Sequence, residues 1–178
     1  TLVNLGTQGF VNVRNDDILI SREAIPYLKG FVKDLESLGY KVIIGYAYRS
    51  YEEQANLDAI YQAEAGFSQH QGGLAFDIFL QNETGGVDLT RGLPINQDPR
   101  IRDLAHKWGI VHPVPTDTPH YFVLDAAYPG LTKLMQDSGI DVDNYENAKM
   151  ALLGIAQAYE YQLLSPQVAA VSGSTFLP

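Results

Sequence analysis

A chain of 178 residues, 46% hydrophobic and 19% charged, has the length and make-up of one globular domain with a real core. Its net charge of −9 argues against a nucleic-acid partner, because no basic stripe could replace phosphate counterions, and it disfavours adsorption to anionic surfaces. The absence of cysteine excludes disulfides and thiolate metal sites, and no apolar run approaches the roughly 20 residues that membrane insertion needs.

Opening at Thr1 without a Met, the chain is compatible with removal of an upstream signal or pro-segment. Periodicity predicts a helix over 21–38, with Ile25, Leu28, Val32 and Leu35 on one face and Gly39 as its stop. Residues 40–48 alternate, which predicts a strand with Tyr40, Val42, Ile44, Tyr46 and Tyr48 on one side. Ser50-Tyr51-Glu52-Glu53 has capping-box spacing and predicts a helix running to about Glu64. Alternation returns at Leu74, Phe76, Ile78 and Leu80 as a second strand. Asp98-Pro99 reads as a cap and an N1 proline, followed by the stripe Ile101, Leu104, Ala105 and Trp108 and a stop at Gly109. His120 to Leu124 is the next strand, and a last helix is expected over 144–163 with Leu152, Ile155, Ala156 and Tyr159 inward. These elements predict an α+β domain over 1–164, a small and mainly antiparallel sheet flanked by helices, with an irregular tail over 165–178.

The chemistry concentrates in Ser68-Gln69-His70-Gln71-Gly72-Gly73-Leu74-Ala75-Phe76-Asp77 and in Asp117-Thr118-Pro119-His120. Two imidazoles and one carboxylate, His70, His120 and Asp77, are a sufficient ligand set for a catalytic zinc ion with the fourth position left for water, and Asp117 is then a spare acid near it. Strand alternation puts Gly73, Ala75 and Asp77 on one face, the shape of a floor beneath a ligand, while Leu74, Phe76 and Ile78 face a core. Gly72-Gly73 lets the chain turn so that His70 returns toward Asp77, and Pro119 restricts the backbone before His120. Each residue has a plainer reading as well. Asp77 would serve as a half-buried strand carboxylate satisfied by backbone amides, His70 as a loop histidine, and Asp117 as the cap of a proline-rich turn. Arg49 would pair with Glu52 or Glu53, Ser50 would cap the helix with Glu53 as its capping-box partner, and His112 would line a cleft or serve structure. His106, among charges on its helix, reads as exposed.

The pattern Ser68-x-His70-x-x-Gly73-x-Ala75-x-Asp77 followed by Asp117-x-Pro119-His120, with Tyr48-Arg49-Ser50-Tyr51-Glu52-Glu53-Gln54 upstream, resembles the M15 family of zinc peptidases over about residues 20–125. The His-Glu-x-x-His helix of other zinc proteases is absent. The resemblance implies a hedgehog/DD-peptidase-like fold, zinc on His70, Asp77 and His120, and Asp117 as general base and acid. It implies that Arg49 stabilises the oxyanion or polarises the scissile carbonyl, and that Ser68 and Arg49 contact substrate. The family contains D-Ala-D-Ala carboxypeptidases and dipeptidases, and phage endolysins that cut the L-Ala–D-Glu bond. Aspartate in the Asp-x-Pro-His spacing is more like the endolysin branch. The expected function is therefore hydrolysis of peptidoglycan stem peptides, as an L-Ala–D-Glu endopeptidase of phage lysis or of a virion. The alternatives are a D-Ala-D-Ala carboxypeptidase in a periplasmic or secreted setting, and a noncatalytic zinc-stabilised virion or cell-wall binding domain.

Overall fold

A computed structural model describes residues 1–10, 13, 17–56, 69–82, 98–144 and 146–147. Among the described residues the central sheet has four strands, β3 (Tyr40–Tyr46), β4 (Ala75–Asn82), β5 (Ile110–Val111) and β6 (His120–Val123), in the order β3-β4-β6-β5. Every neighbouring pair is antiparallel. A separate antiparallel ribbon joins β1 (Leu2–Asn4) to β2 (Leu19–Ser21). Among the described residues the longer helices are α1 (Ile25–Ser37), α2 (Tyr51–Ala55), α3 (Pro99–Lys107), α4 (Leu124–Ala127) and α5 (Leu131–Asp137). The α+β expectation, a small antiparallel sheet flanked by helices, holds. None of the described helices is long and apolar enough to cross a membrane.

The two sheet faces bury different things. On one face Val42, Ile44, Phe76, Ile78, Leu80 and Tyr121 pack against Leu28, Phe31 and Leu35 of α1 and Ile101 and Ala105 of α3. Phe31 meets both Phe76 and Tyr121, with ring centroids 6.4 and 5.5 Å away. On the other face Ala75, Val111, Phe122, Leu124 and Val142 form a smaller cluster, closed by Leu131 and Met135. The expectation of an open floor at Ala75 is therefore corrected. Alternation identified the face, but α4, α5 and Val142 cover its Ala75 end. Gly73, for its part, is packed beside Leu2 and Ser21 in the left-handed conformation that suits glycine.

Several boundaries also move. The helix expected from residue 21 begins as a 3₁₀ turn, Arg22–Ala24, and becomes α-helical at Ile25. The strand expected over 40–48 ends at Tyr46, and its register slips between Ile44 and Tyr46. This bulge moves Tyr46 off the Val42/Ile44 face, leaves it 48% exposed, and buries Ala47 instead. The strand at His120 ends at Val123, where Leu124 starts α4. The Ser50–Glu53 capping box is formed in full, and Asp98 caps α3 ahead of Pro99. The continuation of α2 to Glu64 lies outside the described residues. For the last helix, the Asn144 side chain accepts from the backbone of Glu146 and Asn147 as a cap would, and residues 148–178 lie outside the described residues.

Gly30 sets how closely α1 and α3 approach. A Cβ there would overlap the Trp108 ring, which is held in place by an indole N–H donated to Asp34 at 2.8 Å. Gly30→Ala gains up to about 1 kcal/mol of helix propensity but should lose about 1–3 kcal/mol to overpacking. A lowered urea midpoint is expected. An unchanged or raised midpoint would mean that Trp108 yields freely.

Candidate metal centre

Cross-strand register brings the first two groups together. Asp77 on β4 lies directly opposite His120 on β6, so their side chains leave the same face of the sheet side by side. The third group arrives from the 3₁₀ turn Gln69–Gly72, which Gly73 closes with positive φ and a backbone bond from its N–H to the His70 carbonyl at 3.1 Å. Asp77 Oδ1 is 3.3 Å from His70 Nε2 and 3.4 Å from His120 Nδ1, and the two ring nitrogens are 3.0 Å apart. Both imidazoles are buried, each 5% exposed.

The outward-facing nitrogen of each ring is already committed. His70 Nδ1 lies 2.6 Å from the Ala47 carbonyl, which can only accept, so this nitrogen donates and leaves a lone pair on Nε2. His120 Nε2 lies 2.7 Å from Gln69 Oε1 and donates to it, leaving a lone pair on Nδ1. Two lone pairs and a carboxylate oxygen thus converge with no proton assigned between them. Asp77 Oδ1 is buried and has no hydrogen-bond partner among the described residues, despite the nearness of both rings.

These three atoms could hold a metal ion. A tetrahedral ion with ligand bonds of about 2.0–2.1 Å has ligands about 3.3 Å apart, which matches the spacings here and fits zinc. Each ring is also oriented by a partner on its far nitrogen, as metal-ligating histidines usually are.

Asp117 sits in the turn that leads into β6. Its backbone N–H donates to the Val114 carbonyl at 3.0 Å, and its carbonyl accepts from His120 N–H at 3.1 Å. The residue is solvent-accessible. Partial loss of water around its carboxyl raises its pKa, the nearby charge of His120 lowers it, and that of Asp77 raises it again; the net direction is up. The side chain therefore lies within electrostatic reach of the centre without being one of its three donors.

The remaining residues divide by what they touch. Arg49 is half-buried, donates its backbone N–H to the His70 carbonyl at 3.3 Å, and gives an Nη1 hydrogen bond to Gln54 Oε1 at 2.9 Å. Glu53 is engaged by the Ser50 backbone N–H at 2.7 Å, inside the capping box. Ser68 lies outside the described residues. His112 is buried, donates Nε2–H to the Thr118 carbonyl at 3.1 Å, and is pushed below the usual histidine pKa by burial, so it holds the Asp117 turn as a neutral ring. His106 departs from expectation. It is half-buried, with Nε2 3.0 Å from Asp143, and it accepts from Gln136 at Nδ1. Sequence reading did not single out Gln69 or the Ala47 carbonyl, because a neutral amide and a backbone oxygen carry no spacing signature of their own.

No family model matches the chain, and no curated protein sequence does. Among solved structures it is similar to the LdcB LD-carboxypeptidase, whose structure was described as revealing the molecular basis of peptidoglycan recognition. That likeness has 23% identity and a TM-score of 0.59 over 83% of this chain and 77% of that one. It is also similar to the vancomycin-resistance D,D-dipeptidase VanXYg in complex with a D-Ala-D-Ala phosphinate analogue, at 23% identity and a TM-score of 0.54. There the match covers 75% of this chain and 61% of the dipeptidase, less than two thirds of its length. A third is a variant of the D,D-pentapeptidase VanY in complex with Zn(II), at 18% identity and a TM-score of 0.53 over 76% of this chain and 87% of that one. The chain therefore has the fold of these D,D- and L,D-peptidases, the fold class its sequence resemblance implied.

Proposed function

We propose that this chain is a zinc-dependent peptidase that hydrolyses peptide bonds in peptidoglycan stem peptides. The observation that carries this reading is the convergence of His70 Nε2, Asp77 Oδ1 and His120 Nδ1 within 3.0–3.4 Å of one another, with the outer nitrogen of each ring already bonded. The shared fold supplies the substrate class.

His70, Asp77 and His120 would hold the zinc. When bound there, zinc supplies Lewis acidity, polarising a carbonyl and easing ionisation of water. Asp117 takes a proton from the attacking water as its oxygen bonds to the carbonyl carbon. It then returns the proton to the amine nitrogen as the carbon–nitrogen bond breaks. Arg49 presents a guanidinium to the developing oxyanion or to a substrate carboxylate, beside a helix N-terminus that favours negative charge. Ser68 contacts substrate.

The resemblance of Asp117-x-Pro119-His120 to the endolysin branch favours L-Ala–D-Glu cleavage, and a phage lysis or virion setting follows from that family analogy. A second reading, release of a terminal D-Ala, draws support from VanYB having been solved in complex with D-Alanine-D-Alanine, at 18% identity and a TM-score of 0.53. Mass spectrometry of defined muropeptides after digestion separates the two by product mass. Zinc-loaded protein that cuts none of them would leave a binding domain instead. Arg49→Lys keeps the charge but not the planar fork, and should lower kcat by about 10²–10³ with little change in affinity for an uncleaved muropeptide. Equal kinetics in parent and variant would remove Arg49 from the catalytic set.

A further inference from the structure

We propose that Gln69 is a positioning residue whose side-chain oxygen fixes His120 in its metal-competent tautomer, an inference that rests on His70, Asp77 and His120 being the ligand set. Gln69 and His70 are neighbours on one 3₁₀ turn, so a single turn delivers one ligand and the orienting partner of another. Gln69 is only 5% exposed, and its Oε1 accepts from His120 Nε2 at 2.7 Å. The other end of the same amide is buried, and Nε2 has no hydrogen-bond partner among the described residues.

The bond to His120 fixes which end of this amide faces the ring. Turned over, the amide would offer N–H to His120 Nε2, and the imidazole proton would have to move to Nδ1. That proton would then lie between His70 Nε2 and Asp77 Oδ1, where three donors converge for a cation. Amide orientation and readiness for metal are thus one variable, and an acceptor at residue 69 sets it.

The test uses the full chain, stripped of metal by chelation and titrated with zinc against a chromophoric chelator. Gln69→Leu, of similar size but without an acceptor, should bind zinc about 10–100-fold more weakly than the parent, with the metal-free protein still unfolding cooperatively in urea. Gln69→Glu restores an acceptor and should bind at least as tightly as the parent. Long-range ¹H–¹⁵N spectra of the metal-free parent should show His120 protonated on Nε2. The proposal is overturned if the Leu variant matches the parent, if the Glu variant is as weak as the Leu variant, or if His120 carries its proton on Nδ1 alone. Should the Leu variant fail to fold, the Glu variant and the spectrum still decide. A parent that takes up no zinc would overturn the metal reading, whereas the tautomer spectrum, read without metal, would still report on Gln69.

Discussion

Asp77→Asn is expected to abolish zinc binding and turnover together while leaving the fold in place. Asparagine keeps the size and shape of aspartate but removes the charge from the only carboxylate among the three converging atoms. The neutral amide is a poor zinc ligand, and two imidazoles alone fall short of the three protein ligands that catalytic zinc sites use. Binding linkage gives a readout independent of activity. At free zinc 1,000-fold above its dissociation constant the parent should gain about 4 kcal/mol of stability, and the variant should gain none. His70→Ala and His120→Ala should lose zinc as well, and by more than the roughly 10–100-fold cost of losing an outer partner. They carry an added structural cost, because each ring is buried and bonded on its far side, to Ala47 and to Gln69. Metal analysis and zinc-dependent melting of purified Asp77→Asn settle the matter. One equivalent of tightly held zinc in that variant would mean the ligand set is wrong.

What the sequence made legible and what it hid follow from the range of the interactions. Ile25, Leu28 and Leu35 report burial through a 3.6-residue period, and Phe76, Ile78 and Leu80 through a period of two, because each pattern is set by one element facing one core. The capping box at Ser50 is local and was equally readable. The bulge after Ile44 was not, since register belongs to a pair of strands and a single strand cannot declare it. It is also what turns Ala47 inward, where its carbonyl orients His70. The same limit explains Ala75. Alternation gave its face correctly, but the cover comes from Leu131, Met135 and Val142, distant in sequence. At the metal centre, the residue types and their spacing pointed to His70, Asp77 and His120, and the β4–β6 register supplies the physical reason that two of them meet. His106 illustrates the converse. Charged neighbours on its own helix suggested solvent, whereas its partners, Asp143 and Gln136, lie on later segments.

Asp117→Ala is expected to keep both fold and zinc and to lose turnover by about 10²–10⁴, the usual worth of a positioned general acid and base. The reason for expecting an intact site is specific. Asp117 supports the turn before His120 through its backbone, by its N–H to Val114 and its carbonyl to the His120 N–H, and alanine retains both bonds. The side chain contributes only its carboxyl, which is outside the three-donor set but close enough for His120 and Asp77 to perturb it. Asp117→Asn, with the same size and no basicity, should be as inactive as the alanine variant, which separates proton transfer from packing. Zinc stoichiometry and the circular-dichroism spectrum should match the parent in both variants, leaving the loss in kcat. Near-normal kcat in either variant would move the proton-transfer role to another group. His112 is poorly suited to inherit it, because its Nε2–H is committed to the Thr118 carbonyl and its ring is buried beside Tyr121. Its remaining nitrogen, Nδ1, could take a proton only by placing an imidazolium in that buried site, and burial already works against the charged ring.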